Sequence, residues 1–110
     1  MSLKNPIAMT IAGFDPSGGA GILNDIKTFH ALGVYGTAVV TALTAQNVQK
    51  VSGVMPIDIE FIEEQMDTVL EGETIEYAKT GMLFSDEIVE TVACKVKEHE
   101  LKVVVYPVMV

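Results

Sequence analysis

Between Gly13 and Phe29 the chain reads Gly13-Phe-Asp-Pro-Ser-Gly-Gly-Ala-Gly-Ile-Leu-Asn-Asp-Ile-Lys-Thr-Phe29, a stretch laid out as a ligand-binding floor. Ile7, Met9 and Ile11 form a short apolar run leading into it. Pro16 and the glycines at 18, 19 and 21 then force an irregular backbone, after which Ile22, Ile26 and Phe29 recur at helical spacing. Backbone amides at a helix start face polar or anionic groups, and glycine lets such a group come close. No Gly-Lys-Ser/Thr opens the helix, so this is not a Walker loop, and Gly18-Gly19-Ala20-Gly21 lacks the dinucleotide spacing.

Other residues able to do chemistry are spread along the chain. Gln46 carries a donor and an acceptor side by side on one amide, suited to a polar ring edge unless it is simply an exposed loop residue. Asp15 and Asp25 flank the glycine turn; the first suits a turn cap and the second a helix surface charge, or either suits a ligand. Met82 follows Gly81 and, as one of six methionines, would ordinarily fill core. Lys79, near a strand end, would meet phosphate or snorkel to solvent. Cys94 falls mid-helix and is expected to be an inert buried thiol, while His30 and His99 sit where a helix C-terminus favours positive charge. No Cys/His/Asp spacing matches a structural metal site.

These residues need a scaffold, and the apolar periodicity supplies one. Strands are expected at about 6–12, 36–44, 51–55, 75–81 and 102–106, alternating with helices at about 19–32, 58–71 and 85–99. The second helix carries Ile59, Ile62, Met66, Val69 and Leu70 on one stripe behind Asp58 as N-cap. The third carries Ile88, Val92 and Val96 behind Ser85, with Asp86 and Glu87 at its positive end and Lys95 and Lys97 at its negative end. Thr37 to Leu43 and Val103 to Val105 are apolar without strict alternation, as strands covered on both faces are. The expectation is an α/β fold, a mostly parallel sheet flanked by helices with right-handed crossovers. Ligands bind such sheets beyond the carboxyl ends of the strands, where the glycine turn, Gln46 with Asn47, Gly81 with Met82, and Pro107 to Val110 would all fall.

Composition bounds the partners. The chain has 110 residues, 49% of them hydrophobic, the size of one domain with a real core; roughly 65% of the unfolded surface is buried at such a size. Its net charge of −8, with no basic cluster, argues against nucleic acid and anionic membranes. One cysteine allows no internal disulfide, no apolar run reaches the length of a membrane span, and no secretory signal opens the chain, so a cytoplasmic location is expected. An exposed edge on so small a sheet calls for a partner, and a homo-oligomer is the expected one.

Six blocks in order carry a family resemblance: Ala12-Gly-Phe-Asp-Pro-Ser-Gly-Gly-Ala-Gly-Ile22, Asp25-Ile-Lys-Thr-Phe29, Ala31-Leu-Gly-Val-Tyr-Gly36, Thr41-Ala-Leu-Thr-Ala-Gln-Asn47, Lys79-Thr-Gly-Met-Leu83 and Pro107-Val-Met-Val110. In these the chain resembles the hydroxymethylpyrimidine and phosphomethylpyrimidine kinases of thiamine biosynthesis, a branch of the ribokinase-like superfamily that also includes pyridoxal kinases. The resemblance implies the N-terminal, substrate-side half of a ribokinase-like three-layer sheet, residues 1–110 forming that half. It implies a small-molecule aminopyrimidine as ligand, held by Gln46, Gly13, Asp25, Ala20, Met82 and Val108, and a reaction that uses ATP and magnesium to phosphorylate hydroxymethylpyrimidine and then its monophosphate.

Two departures qualify what is carried over. The family's fold runs to more than twice this length, and the ATP pocket and the glycine-rich anion loop with its catalytic base belong to its second half. No catalytic residue is therefore expected among these 110, and the chain alone is expected to be inactive, because phosphoryl transfer depends on positioning and charge neutralisation. The family also reads Asp-Pro-Val-Met where this chain has Tyr106-Pro107-Val108-Met109, and a phenol does not replace a hard anionic magnesium ligand. A catalytically silent pyrimidine-binding or assembly module, or a pyridoxal kinase relative, are the alternative readings.

Overall fold

A computed structural model of the chain describes residues 6–105. Its elements are β1 (Ile7–Phe14), α1 (Gly21–Ala31), β2 (Tyr35–Gln46), β3 (Val51–Pro56), α2 (Ile59–Gly72), β4 (Tyr77–Thr80), α3 (Asp86–Glu98) and β5 (Lys102–Val105). They form one five-stranded sheet in the order β3-β2-β1-β4-β5, parallel except for the antiparallel pairing of β3 with β2. The expected mostly parallel sheet is observed. The strand after Gln46 is a hairpin return, closed by Asn47, whose side-chain oxygen accepts the amides of Gln49 and Lys50 at 2.8 and 3.0 Å.

The centre of the sheet is covered on both faces because successive side chains of β1 point opposite ways. Met9 and Ile11 are fully buried among Ile62 and Met66 of α2, Ile88 and Val92 of α3, Val39, Ile75, Ala78 and Leu101. Thr10 between them turns to the other face, where its hydroxyl donates to Asp25 of α1. On that face α1 lies close to β2: a Cβ at Gly36 would fall 2.7 Å from Ile26 Cδ1 and 2.9 Å from Phe29 Cδ2.

The expected helix faces hold. Ile62 and Met66 are buried on α2 and Ile88 and Val92 on α3, with Ile59, Val69, Leu70 and Val96 packed around them. Ser85 caps α3 by accepting the Ile88 amide at 3.2 Å. Asp58 takes the N-cap position of α2, but only its backbone carbonyl accepts, from Phe61 and Ile62.

Cys94 corrects an expectation, for its thiol is exposed. Ile88 and Val92 are four residues apart and share the buried stripe, whereas two residues past Val92 a side chain stands about 200° around the helix, away from the sheet. Tyr106 and Val108 lie outside the described residues. No helix among the described residues is long and apolar enough to cross a membrane.

Candidate functional site

At the carboxyl ends of β1, β2 and β4 a cleft of about 390 Å³ opens. Its floor is built by two irregularities in the strand ladders. Ala12 pairs with Val40 and Phe14 with Leu43, so β2 spends one extra residue beside Gly13. Farther out Ala45 pairs with Gly53 and Gln46 with Val51, leaving Ser52 extra on β3. Such bulges end regular pairing and re-aim the next side chains, here Thr44 and Gln46, which share one face of β2 and both line the cleft. The Thr44 hydroxyl donates to the Phe14 carbonyl at 2.9 Å and locks the first bulge.

The glycine turn is organised by Asp15, which is buried. Its Oδ1 accepts the Ser17 hydroxyl at 2.6 Å and the Ser17 amide at 2.8 Å. The Ser17 hydroxyl holds this carboxyl below the ordinary 3.8; burial opposes that, and the amides of Ser17, Ala20 and Gly19 reinforce it. Asp15 is thus the turn-capping residue, one of the two roles its sequence position allowed. The turn delivers the chain to α1, whose N-cap, Ala20, makes no side-chain cap. Gly21 has φ +66°, and a Cβ there would collide with the Gly13 carbonyl oxygen, so helix start and strand end touch at the cleft.

Asp25 sits one helical turn farther along, only 5% exposed. Oδ2 accepts the Thr10 hydroxyl at 2.6 Å and Oδ1 the Lys79 ammonium at 2.5 Å. Lys79 is neither a lone cation at a strand end nor a lysine reaching only solvent; from β4 it is ion-paired to Asp25 of α1.

The far wall follows β4. Gly81 donates its amide to Ile11 at 2.9 Å, and the buried Thr41 hydroxyl donates to the Met82 carbonyl at 3.2 Å, which together fix the strand end. Met82 presents a partly exposed side chain to the cleft. Phe84 lies in the left-handed region at φ +71°, uncommon for a bulky residue, inside a tight turn closed by the Ser85 amide on the Leu83 carbonyl at 2.9 Å. Its ring occupies the space a Cβ on Gly13 would need, at 2.7 and 2.9 Å.

Of the six residues expected to hold a ligand, Gly13, Ala20, Asp25, Gln46 and Met82 line this one cleft; Val108 lies outside the described residues. Asn47, grouped with Gln46 in the sequence, shapes the hairpin and does not line the cleft. Asn24, Thr44 and Phe84 line the cleft as well, beyond the residues expected from the sequence. The first two carried a signal: Asn24 lies one helical turn after Gly21, and Thr44 lies two strand positions before Gln46. Phe84 carried none, since its placement depends on a backbone conformation no local pattern predicts.

A second cluster of titratable groups lies between α2 and α3. Lys95 Nζ contacts Asp67 at 2.9 and 3.0 Å and Glu98 at 3.2 Å, and His99 Nε2 lies 3.3 Å from both carboxylates. Hydrogen bonding to Lys95 holds the Asp67 carboxyl low, and hydrogen bonding to Asp67 raises the Lys95 ammonium. Because the ammonium already bonds both carboxylates, this cluster is an interhelix ion-pair clamp. His99 joins the clamp as well as ending its helix, whereas His30 is an exposed residue in the last turn of α1.

Comparison with known proteins agrees with this architecture. Residues 15–110 match the family model described as phosphomethylpyrimidine kinase. The hydroxymethylpyrimidine/phosphomethylpyrimidine kinase of Escherichia coli strain K12 is 48% identical over 103 residues, 94% of this chain. The crystal structure of phosphomethylpyrimidine kinase from Clostridium difficile 630 superposes with a TM-score of 0.92 at 42% identity, covering 96% of this chain and 46% of that one. Bacillus subtilis pyridoxal kinase, solved as an ADP complex, superposes at 0.88, also at 42% identity, covering 96% of this chain and 42% of that one. The chain spans 39% of the length of the Escherichia coli relative.

Proposed function

Since the chain belongs to the phosphomethylpyrimidine kinase family, we propose that it forms the substrate-side half of a hydroxymethylpyrimidine/phosphomethylpyrimidine kinase with a ribokinase-like fold. The ligand is an aminopyrimidine seated in the cleft of about 390 Å³, a volume within the range of small-molecule sites. The observation that carries this reading is the convergence of Gly13, Ala20, Asp25, Gln46 and Met82, from four separate segments, on that cleft. The Gln46 amide makes no hydrogen bond among the described residues, so its donor and acceptor remain for the ring edge, and the Met82 thioether packs on the ring face.

Phosphoryl transfer in this reading uses ATP, and the nucleotide belongs to the part of the relatives' length that this chain does not span. The cleft does not fit magnesium. Asp25 has both oxygens engaged by Thr10 and Lys79, and Asp15 is held by its own turn. The 110 residues are expected to bind the pyrimidine without turning it over, in the cytoplasm and as a self-associated species.

A second reading, favoured by the likeness to Bacillus subtilis pyridoxal kinase, has pyridoxal as ligand. Chemical-shift mapping tests both. Hydroxymethylpyrimidine is expected to perturb the Gln46 side-chain amide and the backbone amides of Asn24, Gly81 and Met82 at lower concentration than pyridoxal does. Perturbations scattered over the α2–α3 face would contradict both readings, and stronger perturbation by pyridoxal would favour the second.

A further inference from the structure

Among the described residues lining the cleft, Phe84 is the only one other than glycine with a positive φ, +71°, a conformation uncommon for a bulky side chain. Around it the Ser85 amide donates to the Leu83 carbonyl at 2.9 Å, and with that φ the three residues form the rare, strained kind of γ-turn. Both flanks hold the turn: Leu83 packs against the core, and Ser85 caps α3. The consequence is the place of the phenyl ring. Its Cε2 and Cζ lie 2.7 and 2.9 Å from where a Cβ on Gly13 would stand, so the ring lies against the end of β1 in space that glycine leaves free. The side chain is partly buried, packing against the core and lining the cleft at once. Core filling alone needs no such backbone, for Ile88 and Val92 fill the core from ordinary helix. Strain of this kind gathers at ligand clamps, where the surrounding structure holds it.

Resting on the reading above, we propose that Phe84 is a ligand-contact residue whose phenyl ring meets the heteroaromatic ring of the ligand, and that the strained turn and Gly13 set that phenyl ring in the cleft before the ligand arrives. Aromatic rings attract one another in offset-stacked or edge-to-face geometry beyond what the buried area alone contributes. Holding the phenyl ring in advance removes an ordering cost that binding would otherwise carry. Gly13, expected from the sequence to hold the ligand, also acts here by what it lacks, a Cβ that would push Phe84 aside.

Isotope-filtered NOE spectroscopy on the full chain, carrying isotope-labelled phenylalanine and saturated with hydroxymethylpyrimidine, tests this. Of the four phenylalanines, Phe14 and Phe84 line the cleft. Cross-peaks are expected between ligand protons and the Phe84 ring, whose signals are assigned by their loss in Phe84→Leu. A residue serving only to pack the core would give none. In calorimetric titration Phe84→Gly, which relieves the turn and removes the ring, is expected to bind about tenfold more weakly than wild type. Phe84→Leu, which keeps apolar bulk without the aromatic ring, is expected to fall between the two. Where Phe84→Gly loses its fold, the cross-peaks and Phe84→Leu decide. Saturated wild type without cross-peaks to Phe84, or wild-type affinity in either folded variant, overturns the inference. Where Gln46→Ala still abolishes that binding, this inference alone falls; no binding by wild type overturns it together with the proposed function.

Discussion

Several residues of the cleft are held in place by neighbours distant in sequence or by strand irregularities. Gln46 is aimed by the bulge at Ser52, the end of β1 is locked by Thr44, and Met82 is fixed through Thr41. Asp15 is the clearest case of a side chain whose ionisation holds backbone. Its folded carboxyl titrates below 3.8, so the stability it contributes is fully present above that value and is lost as the pH falls through the lower folded value. On acid titration the Ser17 and Gly19 amide resonances are expected to move only below 3.8 in wild type, and Asp15→Asn is expected to show the altered turn already at neutral pH. Movement of those resonances above 3.8 in wild type would contradict this. The residue types of the site were legible because Gly13, Asp25, Gln46 and Met82 stand in quoted motifs. The Thr10–Asp25–Lys79 triad was not, since its members lie 15 and 54 positions apart and meet only once β1, β4 and α1 are assembled.

At the scale of elements the apolar stripes carried most of the information. Ile62 with Met66 and Ile88 with Val92 identified the buried faces of α2 and α3, and Ser85 marked a helix start that the structure confirms by its hydrogen bond. The direction of β3 was not legible: an apolar run such as Val51 to Met55 does not say which way its partner runs, and the deciding Asn47 turn is a side-chain effect. Cys94 shows the complementary limit: a small apolar residue in a helix is buried only where it falls on the apolar stripe, and Cys94 falls opposite it. These placements predict opposite outcomes for two substitutions in chemical denaturation. Met66→Ala, at a fully buried position, is expected to destabilise by about 2–5 kcal/mol. Cys94→Ser, at an exposed one, is expected to stay within about 0.5 kcal/mol of wild type; a large effect there would mean that α3 is rotated from the orientation described.

At the scale of the whole molecule, the sheet of the described residues carries exposed strands at both edges. All six residues of β3 are exposed, including Val51, Val54 and Met55, and at the other edge Val104 and Val105 are 68% and 69% exposed. Apolar edge strands of this kind pair with further strands unless covered. The purified chain is accordingly expected to show a concentration-dependent rise in mass by light scattering, reduced by Val104→Lys. A monomer at high concentration would contradict that expectation and leave both edges tolerant of water.

In the proposed function the cleft at the strand ends is a pyrimidine site read by Gln46. Calorimetric titration of hydroxymethylpyrimidine into wild type, Gln46→Ala and Cys94→Ala measures this directly. An amide engaged with two ligand atoms contributes on the order of 1–3 kcal/mol, so Gln46→Ala is expected to lose most of the wild-type binding. Cys94→Ala, exposed on the outer face of α3, is expected to lose none. Equal affinity in wild type and Gln46→Ala would contradict the assignment of the cleft as a pyrimidine site read by Gln46.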